Sequence, residues 1–480
     1  MVKKARLTSG LSLFSVLAPL LLLPHGAAFA AEDEFESALQ ELSPAQQEIP
    51  APPVEVPAAK PVVVPATEPA ILLRTALGEA YNKNPVLQAE RARLKAVEEN
   101  YPQARSGFLP WVSGQADYTS SHTEYDNLTQ SGDPKTLSVG LNQSIYSGGS
   151  TRANMREAES QIKAAQAQLH QTEQRVLLEA VIAYMNLVRD QEILRLNRNN
   201  EKVLQEYLKA SEERFELGDI TKTDVSQSES RLAAASADRI AAEGNLRKSR
   251  AFFERVIGIA PPALEKPEDK ITLPSSAQEA MTLAEHHNPS IAIAEHTQAA
   301  AKNATRAIEG TRLPQVDLVA GVSKIYDPVT GLGVNGDADA RSIGLRATLP
   351  FYTGGNTVSR IRQSKQNENR LRMETRNVER EVREATIAAW ETLTAAEAES
   401  QARQTQINAA KMALDGVKVE AEFGSRTTLD VLDAEQEYLD AQVAQTTADT
   451  EKTIASYGVL AAIGRLTAGQ LGLDIEKTEE

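Results

Sequence analysis

The sequence predicts an α+β membrane protein in which a few amphipathic strands are carried on very long helices. Three observations lead there. The first 30 residues have the form of an export signal. The remainder is one architecture written twice. Each copy joins two alternating strand segments to a helical stretch several times longer than a globular domain uses.

Composition bounds the rest. The chain has 480 residues, 24% of them charged, with a net charge of −15 that disfavours a nucleic-acid partner. A mean hydropathy of −0.36 rules out a bundle of membrane-spanning helices. It does not rule out a β-barrel, whose strands alternate. There is no cysteine, which excludes disulfides, thiolate metal sites, cysteine nucleophiles and a lipid-modified N-terminal cysteine.

The signal spans residues 1–30. Lys3, Lys4 and Arg6 precede an apolar run at 11–23, and Ala28-Phe29-Ala30 forms the cleavage site. Residues 31–70 follow as an acidic, then proline-rich leader. Pro44, Pro50, Pro52, Pro53, Pro57, Pro61, Pro65 and Pro69 make it extended and disordered, unable to sustain a helix.

The repeat is then set out by its landmarks. Asn84-Pro85 recurs as Asn288-Pro289 and Leu109-Pro110 as Leu313-Pro314, both 204 residues on. Tyr146-Ser147-Gly148-Gly149 recurs as Tyr352-Thr353-Gly354-Gly355, and Gly218, Asp224 and Gly258 as Gly424, Asp430 and Gly464, all 206 on. The two-residue change falls in a strand-to-strand loop, where length is tolerated. The first repeat covers residues 71–260, a linker 261–276, the second repeat 277–465, and a C-terminal tail 466–480.

Each repeat opens with one helix, from about 71 to 105 and from 277 to 309. Strands follow at 112–118 with 137–145, and at 316–322 with 343–349, each with period-two alternation. The stretches from Asp126 to Pro134 and from Asp327 to Asp339 read as loops. From Gly149 to Gly218, and from Gly355 to Gly424, there is no proline and the spacing is the same 69 residues. At 1.5 Å per residue each helix reaches roughly 100 Å. The glycine pairs Gly148-Gly149 and Gly354-Gly355 turn strand into helix, and Gly218 and Gly424 end it. Val176, Ala180, Ala183 and Leu187 form one apolar stripe, and Leu177, Val181, Tyr184 and Val188 an adjacent one. Two stripes let one helix pack against neighbours on both sides. Shorter returning helices span about 221–256 and 427–462.

Four strands cannot stand alone in lipid, because an open sheet leaves two edges of unsatisfied backbone groups. About eight strands are the working minimum for closure. The chain must pool strands with copies of itself, two giving eight and three giving twelve. Trp111, Tyr118, Tyr146, Tyr326, Phe351 and Tyr352 lie near strand ends, as interfacial aromatics would.

The residues of both repeats, about 71–465, resemble the TolC family of outer-membrane channel-tunnels. The marks are the Asn-Pro pairs, the Tyr-Ser/Thr-Gly-Gly turns, and two loops. One runs from Arg214 through Gly218 and Thr221 to Val225, the other from Gly424 through Arg426 and Asp430 to Ala434. The resemblance implies a homotrimer with a twelve-stranded transmembrane β-barrel, four strands per chain, continued by a long periplasmic α-helical barrel. It implies a passive exit duct, not an enzyme, in the outer membrane of a Gram-negative bacterium. Its partners would be outer-membrane lipid, a periplasmic adaptor and an inner-membrane ABC or RND transporter.

By the same resemblance Asp430 and Asp433 match the carboxylates that ring the periplasmic opening. Arg426 matches a gate latch whose acceptors match Asp224 and Thr223. The position of the family's aromatic latch partner is Ala421 here, so the aromatic part of the latch is missing or moved to Phe423. A helix-start reading stands beside this one: Thr221-x-x-Asp224 and Thr427-x-x-Asp430 both fit a capping box. Asp433 and Arg426 are the stronger gate candidates, since the first repeat has Gln227 and Ile220 at those positions.

No metal and no cofactor are expected. Gly331-x-Gly333-x-x-Gly336 sits between strands with no helix after it, and His286, His287 and His296 lack ligand spacing. Two alternatives remain: a duct dedicated to an RND drug pump, and a non-conducting coiled-coil surface trimer. The missing N-terminal cysteine favours the type I secretion branch over the first. The duplicated strand pairs argue against the second.

Overall fold

Asn-Pro is where the expected opening helix of each repeat breaks. In the computed structural model, α1 (Leu73–Lys83) stops at Asn84 and α2 (Pro85–Glu98) begins at Pro85. The second repeat does the same, α6 (Ala277–His287) giving way at Asn288 to α7 (Pro289–Gly310). A continuous helix was expected at both places, and proline's missing N–H and its clash with the preceding turn forbid it. The structure describes residues 72–473 except 127, 263, 268–270 and 327–335. The expected signal and leader lie outside these residues, as do most of the loop from Asp327 and the last seven residues of the tail.

In the first repeat a short α3 (Asn100–Ser106) follows, then β1 (Trp111–Tyr118), β2 (Ser121–Tyr125), β3 (Leu128–Gly132) and β4 (Lys135–Ser147). The long α4 (Ser150–Glu216) and the returning α5 (Lys222–Ile257) complete it. After α6 and α7, the second repeat continues with β5 (Gln315–Tyr326), β6 (Ala338–Thr348), α8 (Asn356–Glu422) and α9 (Thr428–Ala462). Hairpin β2–β3 occupies part of the stretch read as loop. Thr and Tyr favour strand, and β2 and β3 pair antiparallel from Ser121 opposite Gly132 to Tyr125 opposite Leu128.

The main sheet is antiparallel, in the order β1-β4-β5-β6. Its register puts Val112 opposite Leu141, Val139 opposite Val322, and Leu318 opposite Leu345. One face therefore carries Val112, Leu137, Val139, Leu141, Leu318, Val322, Ile343 and Leu345. The other carries Ser113, Gln115, Ser138, Asn142, Asp317, Ser342 and Arg346. The register shifts by one residue at Ile145, a bulge at the base of β4.

Helices α4 and α8 have 67 residues each. α4 packs on α5, α7 and α9, and it buries 22 residues, including both predicted stripes except the half-buried Val188. α8 packs on α9, α7 and α6 and buries only eight. The main core lies midway along α4 and at the far ends of α5 and α9, where Leu73, Leu77, Leu177, Tyr184, Phe253, Ile257, Leu460 and Ile463 meet. Residues set apart as linker and tail join it. The Tyr184 hydroxyl donates to the Glu265 carbonyl at 2.6 Å. Leu466 and Ala468 are buried, and the Ala468 N–H donates to buried Glu173 at 2.9 Å.

Candidate functional site

The expected functional residues fall at two places, the sheet and the hairpin tips. β4, β5 and β6 have 13, 12 and 11 residues. A tilted strand of about 9–11 residues crosses the apolar layer of a membrane. Trp111, Tyr118, Tyr146, Phe351 and Tyr352 are exposed. Tyr326 is half-buried, with Lys324 Nζ 5.0 Å from its ring centre. Register places Trp111 on the polar face of the sheet, opposite Asn142, and Tyr118 and Tyr326 on the apolar face.

All six turn glycines have positive φ, between 61° and 83°. At Gly148 the requirement is also one of space. A Cβ there would overlap the Gly310 carbonyl oxygen, so the strand-to-helix turn lies directly against the end of α7.

The two tips share one local geometry. At the first, Asp219 N–H donates to Arg214 O at 2.9 Å across Gly218. At the second, Ser425 N–H donates to Glu420 O at 2.9 Å across Gly424. Each is a helix end closed through a left-handed glycine. Both returning helices then start with a capping box. Asp224 accepts from the Thr221 N–H at 2.9 Å and hydroxyl at 2.8 Å, and Asp430 accepts from Thr427 at the same distances. Those bonds, backbone first, hold both carboxyls below their usual range.

The gate candidates have the following partners within one chain. Arg426 Nε donates to Glu420 at 2.9 Å, which raises the guanidinium's affinity for its proton. Among the described residues no hydrogen bond or ion pair joins Arg426 to Asp224 or Thr223 within the chain. Asp433 is ion-paired with Arg231 of α5. Sequence reasoning missed Arg231 and Glu420, because neither lies in the motif and the Asp433–Arg231 pairing depends on the register of α9 on α5. Beside them Lys418 and Glu435 pair at 2.6 Å, and Leu204, Ala235 and Leu432 are buried together. An exposed ion pair contributes about 0–1 kcal/mol, and burying a leucine about 1.5–3 kcal/mol. Toward the tips, the apolar contact is therefore a stronger tie between the two hairpins of one chain than the exposed ion pair.

The tips are acidic. Residues 209–231 hold six acids and four bases, and residues 415–437 seven acids and two bases. Among the described residues no acid or histidine cluster could hold a metal ion.

A four-stranded sheet with one apolar face, carried on two long helical hairpins, defines a class of membrane channel. The family model for outer membrane efflux proteins matches residues 76–258 and 280–465, and the chain belongs to that family, the family of TolC. It is 35% identical over 403 residues to the outer membrane efflux protein BepC of Brucella suis biovar 1, covering 84% of this chain and 87% of BepC. It is 26% identical to the outer membrane protein TolC of Escherichia coli, covering 82% of each. Among solved structures, the CmeC outer membrane channel of Campylobacter jejuni superposes with a TM-score of 0.72 at 17% identity, over 82% of this chain and 86% of CmeC. The chain is thus an outer-membrane export duct, acting in type I secretion or efflux.

Proposed function

We propose that three copies of this chain close a twelve-stranded barrel in the outer membrane and continue below it as a helical tunnel through the periplasm. Proteins, small toxic compounds or both leave through the tunnel. A periplasmic adaptor and an inner-membrane ABC or RND transporter deliver them. The observation that carries this reading is the single four-stranded sheet, whose edge strands β1 and β6 have no partner among the described residues. Bilayer lipid offers nothing to satisfy such edges. The long hairpins α4–α5 and α8–α9 point their acidic tips away from the sheet ends of α4 and α8.

In this reading Asp430 and Asp433 border the narrowest opening, with Arg426, Asp224 and Thr223 at contacts between neighbouring tips. Arg231 offsets one of the two carboxylates in each chain. The net acidity of both tip segments remains, and it attracts cations. The test is conductance in planar bilayers. The expected result is a cation-selective pore, with Asp430→Asn/Asp433→Asn reducing the selectivity. An anion-selective pore, or no conductance from correctly folded protein, would overturn the reading.

A further inference from the structure

Two arginines line one cavity beside the main core. The cavity has a volume of about 430 Å³ and is formed within one chain, by α1, residues 271–272, the end of α9 and the segment after it. Leu77, Leu460 and Leu473 supply apolar wall, and Arg74, Arg465 and Gln470 supply polar groups. A few polar groups on a mostly apolar wall are the usual make-up of a small-molecule site.

The two guanidiniums are held there differently. The chain turns out of α9 through Gly464, at φ 78°, where a Cβ would overlap the His287 carbonyl oxygen. The Arg465 N–H then donates to the Leu460 carbonyl at 2.8 Å, closing the helix end. Arg465 is thereby fixed between Ile463 and Leu466, both buried. Arg74, in the first turn of α1, donates from Nε to the Gly472 carbonyl at 2.9 Å and ties the segment down. Arg74 therefore has an acceptor. Arg465 Nε is wholly buried and has none. The acid that feels the charge of Arg465 is Glu279, and it is engaged elsewhere. Its carboxylate accepts from the Ser275 hydroxyl at 2.6 Å and N–H at 2.7 Å, and these bonds come before Arg465 in holding it below its usual range. A buried donor without an acceptor is costly, and more so in a charged group.

The duplication shows that the fold does not require these charges. Subtracting 206 from Arg465 gives Ile259, and adding 204 to Arg74 gives Gln278. Ile259 packs against the main core. An apolar side chain thus fills in the first repeat the position that holds a stranded cation in the second.

We propose that this cavity binds a small organic carboxylate carried on a short apolar stem. The carboxylate gives Arg465 the charged acceptor that the protein withholds, and the stem lies along the leucines. Gln470 adds a side-chain amide at the exposed side. The site is complete within one chain, so it rests on nothing proposed above about assembly.

The test uses purified full-length protein in lipid nanodiscs, titrated with hexanoate, hexyl phosphate and hexan-1-ol and read by ligand-observed NMR. Hexanoate is expected to bind saturably and about tenfold tighter than hexan-1-ol, and Arg465→Gln to remove that margin. Gln470→Glu puts a like charge at the site and should weaken hexanoate while leaving hexan-1-ol unchanged. Its exposed position keeps the test open should Arg465→Gln fail to fold, which thermal unfolding reads. Equal binding of hexanoate and hexan-1-ol, or unchanged hexanoate binding in either folded variant, overturns the site. Hexyl phosphate binding tighter than hexanoate overturns the assignment to a carboxylate. Hexanoate binding only to Asp474→Asn/Glu476→Gln/Glu479→Gln/Glu480→Gln would make the chain's own acidic tail the occupant and overturn an external ligand.

Discussion

The side-chain amide of Asn84 accepts from the Val86 N–H at 2.9 Å and donates to the Val256 carbonyl at 2.9 Å. Asn288 repeats this with Ser290 and the Ala462 carbonyl. One residue thus caps the helix that follows it and satisfies a carbonyl near the end of the returning helix. Aspartate lacks the donor, and serine lacks the reach. Asn84→Ala and Asn288→Ala should each lower stability by about 1–3 kcal/mol, the range for a lost cap plus an unsatisfied buried group. Thermal unfolding of the purified protein reads this, and an unchanged midpoint would count against the dual role. The Asn-Pro pair was legible in the sequence as a landmark. Its long-range bond was not, because Val256 is 172 residues away. The capping boxes at Thr221 and Thr427 were legible because three residues of spacing contain the whole interaction. The partners Arg231 and Glu420 were not, because they depend on helix register and on a bend of the chain.

At the scale of elements, the 67-residue helices follow from two matched intervals free of proline, each bounded by glycines. What the intervals did not show is that the two helices differ so much in burial. That follows from which neighbours each has within one chain. The turn into α4 gives a sharper test than helix length. Gly148→Ala should abolish the native oligomer, since its Cβ would press on the Gly310 carbonyl. Gly149→Ala meets open space and bears only the left-handed backbone, at about 1 kcal/mol. Native mass of the two variants separates the effects, and equal losses would show that backbone angle alone matters there. The hairpin β2–β3 escaped notice because Ser121–Tyr125 and Leu128–Gly132 are short and mostly polar in sequence, so no apolar alternation marks them.

The whole molecule was legible because duplication is a property of sequence alone, and constant offsets need no structure to be seen. Closure of the sheet is a requirement rather than a reading, since four strands state that partners are needed without stating how many. The two open edges, β1 and β6, carry a consequence for the cell. A single chain has no stable place in the bilayer, so entering the membrane and finding partners are one event. Defective chains are then drawn into the same assemblies as sound ones. With three chains per duct and equal amounts of sound chain and a Leu345→Pro edge variant, about one assembly in eight is wholly sound. Co-expression should cut export to roughly that fraction, whereas a fall to one half would mean that each chain works alone. In the proposed barrel, the edge that makes closure possible makes damage to it genetically dominant.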